Sequence, residues 1–222
     1  MRCFNFVWLA IGSIFFVACG DDGVSAQSRT MTDLRDGRTY QTVRIGMQTW
    51  MAENLNYEAT SSHCYNDDVT NCTKYGRLYS WAVAMDSASI WSMNGNGCGY
   101  NKTCSPIYPV RGVCPEGWHL PSKVEWETLL TVVGGRLTAG RRLKSTFGWS
   151  NGNGTDAFGF SALPAGQEDS NFYLSEGEVT GFWSSTEEYS ESAYFMMVYG
   201  DVADVFSHYV KYSGFSVRCV KD

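Results

Sequence analysis

The sequence predicts an α+β domain on three observations. Helical periodicity is confined to the middle of the chain, strand-like alternation occupies both flanks, and an even set of cysteines lies beyond an apolar leader. The expected order is a β-hairpin, two or three short helices, and a small antiparallel sheet. With 222 residues, 44% of them hydrophobic and 18% charged, the chain has material for one sizeable core.

The leader comes first. Residues 1–18 carry one basic residue, Arg2, and an apolar run over 6–18 that is too short for a hydrocarbon core, which takes about 20 helical residues. It reads as a signal peptide. The run ends in "FVACG", which is similar to a lipobox, so Cys19 is the expected lipidation site and new N-terminus. Several acyl chains on one cysteine hold a chain to a membrane far better than a single chain can. The expected location is therefore the cell envelope, lipid-anchored at the outer membrane and exposed at its surface. Residues 19–31, polar and aperiodic, read as a tether, with the folded domain over 32–222.

Residues 38–54, "RTYQTVRIGMQTWMAEN", place β-rich runs on either side of Gly46 and predict a hairpin. In "YGRLYSWAVAMD", Leu78, Trp81, Ala82 and Met85 recur at helical spacing and predict a short amphipathic helix. Residues 94–109 are rich in Gly, Asn and Pro and read as a loop.

The stretch "CPEGWHLPSKVEWETLL" is the most explicit. Trp126, Leu129, Leu130 and Val133 fall on one helical face, Ser122 and Glu125 form the S-x-x-E of a capping box, and Gly134-Gly135 ends the helix. Trp118 and Leu120 are expected in the core at its entrance. "AGRRLKST" suggests a second helix and "GWSNGNGTDAFG" a loop. "FGFSALPAG", "GFWSSTE", "SAYFMMVYG", "VADVFSHYV" and "FSVRCVKD" read as β-rich. In the last, Phe215, Val217 and Cys219 share one face, Ser216 and Arg218 the other.

Apart from Cys3 and Cys19, the cysteines are Cys64, Cys72, Cys98, Cys104, Cys114 and Cys219. An exported chain oxidises such a set. Cys64–Cys72 and Cys98–Cys104 lie in turn-rich segments that can close on themselves, which leaves Cys114 with Cys219. No C-x-x-C occurs, and His63, His119 and His208 stand at no ligand spacing, so neither a metal nor a cofactor is expected.

The formal charge of -6 and the lack of a long basic cluster oppose nucleic-acid binding. No H-E-x-x-H, P-loop or G-x-G-x-x-G pattern appears, and the common catalytic motifs are expected to be missing. The acidic pairs Asp67-Asp68 and Glu187-Glu188 read as solvated charges, the first with a weaker calcium alternative.

Aromatic residues in polar loops mark a candidate ligand surface: Trp91, Tyr100 and Tyr108 about the first loop, Phe172 and Tyr173 in the second, over 166–178. Asn94, Asn96, Asn101 and Gln167 would add neutral hydrogen bonds.

Six blocks then carry a resemblance, over 32–222 and in order: "DGRTYQTVRIGMQTWMAENLNY", "YGRLYSWAVAM", "VRGVCPEGWHLPSKVEWETLL", "DAFGFSALPAG", "FWSSTE" and "GFSVRCVKD". Together they resemble the Fibrobacter succinogenes major paralogous domain, a family frequent in exported, lipoprotein-like chains. "GWHLPSKVEW" and "GFSVRCV" are more distantly similar to the C-type lectin-like fold, which includes the formylglycine-generating enzymes. That likeness implies terminal strands lying together and long loops on one side, and C-type lectins also carry a long-range disulfide into the last strand. The Glu-Pro-Asn, Gln-Pro-Asp and Trp-Asn-Asp tripeptides of calcium-dependent sugar binding are absent, and only Cys219 follows Cys114, so a late copper-binding cysteine pair is missing. The expected function is a non-catalytic, lipid-anchored envelope domain that binds a glycan or an envelope protein through its loops. The alternatives are an enzyme of the formylglycine-generating or hydrolytic kind, and a structural component without ligand.

Overall fold

The computed structural model describes residues 29–170 and 172–222. The leader, Cys19 and the tether up to residue 28 lie outside them. The first strand already begins at Arg29, three residues ahead of the expected domain boundary.

In chain order the strands are β1 (Arg29–Thr32), β2 (Thr39–Ile45), β3 (Gln48–Met51), β4 (Ser62–His63), β5 (Leu78–Tyr79), β6 (Trp118–His119), β7 (Gln167–Asp169), β8 (Phe172–Leu174), β9 (Val179–Glu187), β10 (Ser192–Tyr199), β11 (Val202–Val210) and β12 (Val220–Lys221). Among the described residues four α-helices interrupt them, α1 (Val69–Tyr75), α2 (Trp81–Ala84), α3 (Lys123–Val132) and α4 (Arg136–Leu143), with a 3-10 turn over Tyr65–Asp67. A five-stranded sheet runs β1-β2-β3-β12-β6, a three-stranded one runs β11-β10-β9, and β4–β5 and β7–β8 form two small pairs. The paired strands are antiparallel throughout, so the α+β class holds.

The core has two compartments, and single strands divide them. Successive side chains on a strand point to opposite faces. Trp50 and Met51 on β3, Phe182 and Trp183 on β9, and Met196 and Phe195 on β10 each place one residue in either compartment. Phe215, Val217 and Cys219 all enter the first, as their shared phase predicts. Arg218, on the opposite phase, stands over Phe160 of the second.

The capped helix forms as expected. Ser122 Oγ accepts the Glu125 N–H (3.3 Å), while the Glu125 carboxylate accepts the Ser122 N–H (2.8 Å). Trp126, Leu129, Leu130 and Val133 are buried, as are Trp118 and Leu120. All three disulfides have the expected partners, Cys64–Cys72, Cys98–Cys104 and Cys114–Cys219. The last ties the approach to α3 to the end of the chain. On a chain-entropy account a loop of that length contributes about 4 to 5 kcal/mol.

Three expectations change. The helix through Leu78 shrinks to α2, because Tyr79 exchanges both backbone hydrogen bonds with Phe215 (2.9 and 3.1 Å) and Trp81 N–H goes to Lys211 O (2.9 Å). Sheet pairing thus overrides helical spacing. "FGFSALPAG" makes bridges rather than a strand, since Ala162 is held between Leu143 O (2.8 Å) and the Ser145 N–H (2.9 Å) at the end of α4. Residues 166–178 are not an irregular loop but carry the β7–β8 pair, with Glu168 bridged to Gly214.

Candidate functional site

The segment from Asp86 to Pro109 is irregular yet heavily tied down. Asp86, 2% exposed, takes the N–H groups of Ile90, Trp91 and Ser92 on its two carboxylate oxygens at 2.7 to 2.8 Å. This turns the chain out of α2. Gly95 presses on the Met85 carbonyl so closely that a Cβ there would collide with it. Arg111 donates to Trp91 O (3.1 Å) and Cys114 O (3.2 Å).

The disulfide half of the loop is held from below. Lys211 Nζ donates to Gly99 O (3.3 Å), Lys102 O (3.2 Å) and Ser190 O (2.9 Å), and is ion-paired with Glu187. Glu187 in turn accepts the Cys104 N–H on both oxygens, at 2.8 and 3.0 Å. A buried ammonium thus organises the loop carbonyls much as a bound cation would.

On this rigid base the loop shows apolar side chains to water. Ile90, Met93 and Ile107 are each more than 60% exposed and Tyr108 is 53% exposed. The Ile107 N–H donates to Asn94 O (2.9 Å), which sets Ile107 beside the Met93–Asn94 corner. Tyr108 overlooks a recess of about 340 Å³ lined by Val110, Leu120, His119 and Ser185. Its hydroxyl donates to Ser185 O (3.3 Å), and burial pushes its pKa up. Ser185 Oγ is buried there with no hydrogen-bond partner among the described residues.

His119 borders the recess but is occupied. Nδ1 meets Asp222 (2.6 Å) and Nε2 meets Glu125 (2.7 Å), so each nitrogen faces a carboxylate oxygen and neither keeps a free lone pair. Burial lowers its pKa, but the hydrogen bonds and charges of the two carboxylates outweigh that, and the net shift is upward. Burial raises the Glu125 pKa, and its hydrogen bonds with His119 and Ser122 turn the balance downward. The group is an ionic clamp joining the chain's last residue to the start of α3.

The nine residues singled out in the sequence lie in two stretches that both contact the 209–214 segment. Trp91 is half-buried, edge-on to Tyr57 (5.5 Å) and near the Arg35 guanidinium (5.2 Å). Tyr100 lies against Tyr212 (5.1 Å), beside exposed Asn96 and Asn101. Tyr108 overlooks the recess. Gln167 is buried and donates to the Tyr209 hydroxyl, Tyr173 packs on Tyr65 (5.1 Å) and donates to Asp67 (2.8 Å), and Phe172 stands exposed at 70%. The stapled loop and the β7–β8 pair thus both touch the 209–214 segment, through Tyr100 on Tyr212 and Gln167 on Tyr209, while Tyr173 turns toward the 64–72 disulfide. Asn94 serves the loop through its backbone.

The acidic pairs are engaged as well. Asp68 is the N-cap of α1, accepting from the Thr70 N–H (2.8 Å) and hydroxyl (2.7 Å), while Asp67 accepts from Tyr173. Glu187 serves Lys211, and Glu188 accepts from Ser192 Oγ and the His208 N–H. Among the described residues no cluster of three His, Cys, Asp or Glu is placed to hold a metal. One G-x-S-x-G string does occur, "GWSNG" over 148–152, which corrects the expectation that such motifs are missing. Ser150 lies in a turn and donates its hydroxyl to Gly177 O (2.8 Å), without the strand-to-helix elbow that the motif requires.

The sequence reading missed a larger groove, about 590 Å³, between β2, residues 52–56, the end of α1 and residues 147–163. Its polar walls are mostly spent on one another. Asn54 donates to Tyr75 O (2.8 Å) and accepts from Arg218 (2.6 Å), Asn56 donates to Cys72 O (2.8 Å), and Lys74 pairs with Glu176 (3.5 Å). No local motif announced it, because its walls come from four distant stretches.

The molecule is thus a disulfide-stapled α+β domain that presents a braced loop from one side. The family model described as Fibrobacter succinogenes major domain matches residues 43–221, and the chain belongs to that family. No curated protein and no solved structure matches it.

Proposed function

We propose that the chain is a lipid-anchored, non-catalytic domain of the outer-membrane surface that docks a partner protein on the stapled loop. One observation carries this reading. A loop braced by Asp86, Arg111, Lys211 and a disulfide keeps Ile90, Met93, Ile107 and Tyr108 in water. Exposed apolar groups on a pre-ordered segment lose little entropy on binding and release water from apolar area. Aliphatic tips beside a recess suit a protein side chain better than a sugar ring, which makes a glycan ligand the lesser form of the proposal.

The anchor rests on "FVACG" at Cys19. A C-type lectin-like fold is supported by β3 and β12 lying side by side, Val220 opposite Trp50, and by the Cys114–Cys219 bridge. The non-catalytic reading is supported by His119, whose two nitrogens are both committed. Photo-crosslinking in intact cells from position 93 tests the docking claim. A specific adduct should form there and vanish in Ile107→Asp, with the melting temperature unchanged. Adducts that survive that variant, or arise equally from Phe172, would reject the loop as the interface.

A further inference from the structure

We infer that the end of the domain carrying Met47 rests on the lipid bilayer, which turns the stapled loop away from the membrane. The inference builds on the acylation of Cys19 proposed above. It starts from where the described chain begins. Arg29 pairs with Thr42 and Thr32 with Thr39, so the chain enters β1 from the side of the Gly46–Met47 turn and leaves it at the turn over 33–37. Cys19 precedes Arg29 by about ten residues, a reach of at most about 35 Å however the segment is arranged. The anchor thus lies within that reach of Arg29 and feeds the domain from the Met47 side of β1.

That end has the chemistry of an interfacial contact. Met47 is 87% exposed at the hairpin tip, and a Cβ on neighbouring Gly46 would sit 3.1 Å from the side chain of Val132, itself 42% exposed. Leu137, 71% exposed, follows five residues later in the first turn of α4. Arg44 donates to Gly46 O (3.2 Å) and reaches the Met47 sulfur (3.8 Å), and forms no ion pair among the described residues. An apolar tip flanked by a guanidinium fits acyl chains below anionic headgroups. The opposite end differs in what it holds. There Arg35 is bound bidentately by Asp33 and covers Tyr57 at 3.9 Å, next to Trp91 at the start of the stapled loop. The hairpin's seven-residue strand β2 puts about 20 Å between the two ends. A bilayer at the Met47 end would leave the loop facing outward, where a partner can reach it.

The test uses the full acylated chain in vesicles of phosphatidylethanolamine with phosphatidylglycerol. A polarity-sensitive dye is attached in Met47→Cys or, at the far end, in Leu34→Cys, where the native residue is 90% exposed. The emission of the dye at position 47 should shift to the blue and that at 34 should not. The shift should shrink in phosphatidylcholine vesicles and disappear in an Arg44→Glu/Val132→Glu background. A dye in water at 47 on a chain whose Cys19 is acylated by mass overturns the orientation, as do equal shifts at both positions. Absence of acyl mass at Cys19 sinks the anchor reading instead, so the two failures are distinct.

Discussion

Lys211 and Arg218 lie seven residues apart, both with fully buried side chains, and they solve the burial of a positive charge in opposite ways. Lys211 has a carboxylate, Glu187, and spends its remaining donors on loop carbonyls. Arg218 has no ion-pair partner among the described residues. It donates to Asn54 Oδ1 (2.6 Å), Met51 O (3.0 Å), Ser161 O (2.9 Å) and Phe160 O, with the Phe160 ring 4.6 Å from its guanidinium. Burial pulls its pKa down to about 9, against the more distant charges of Asp156 and Glu53. A planar fork with five donors serves several fixed acceptors at once, while an ammonium is a point charge suited to gathering carbonyls around itself. The difference locates their work. Arg218 joins three segments inside the core, and Lys211 joins a surface loop to it.

The comparison breaks most visibly at Arg218. Arg218→Met relieves an uncompensated charge but orphans three buried acceptors and the part-buried Ser161 O, each buried one costing about 1 to 3 kcal/mol. The net loss should be about 4 kcal/mol or more, read by chemical denaturation. Arg218→Lys should recover little of it, because one ammonium cannot span the acceptors. A cost below that of Lys211→Met would reverse the ranking.

Next comes Lys211→Met, which leaves Glu187 without its cation and should cost about 3 kcal/mol. Hydrogen exchange should accelerate at the Cys104 amide while β9 and β10 stay protected. Adding Glu187→Gln should restore part of the loss, and strict additivity of the two variants would show that the pair is not a unit. Ser122→Ala, removing the cap of α3, is smaller at about 1 kcal/mol.

The smallest effect is the most diagnostic, because it depends on pH. The folded pKa of His119 is raised above 6.5, so its contribution is complete below 6.5 and is lost as pH rises through the folded value. Glu125 is lowered below 4.5, so its contribution is complete above 4.5 and fades as pH falls through the folded value. The clamp is strongest between these two ordinary values. His119→Gln should lower the melting temperature in that window and lose its effect progressively above neutral pH. A melting deficit independent of pH would make His119 a packing residue only.

Local chemistry makes part of this molecule readable from its letters. The α3 cap needs only Ser122 and Glu125 three residues apart, and the Cys98–Cys104 disulfide needs only a turn-rich spacer. The phase of Phe215, Val217 and Cys219 follows from the two-residue strand period, and so points Cys219 inward. That same period places Arg218 on the other face, where charge alone would predict water. It is buried because Phe160 and Phe182, far away in sequence, close over that face. The clamp of His119 by Glu125 and Asp222, and the bracing of the 98–104 loop by Lys211 and Glu187, likewise join groups that no local pattern connects. Capping, turns and alternation act within a few residues and are written in the sequence by itself. The partner of a buried charge and the exposure of a loop depend on which distant surfaces meet, and the tertiary structure alone decides that.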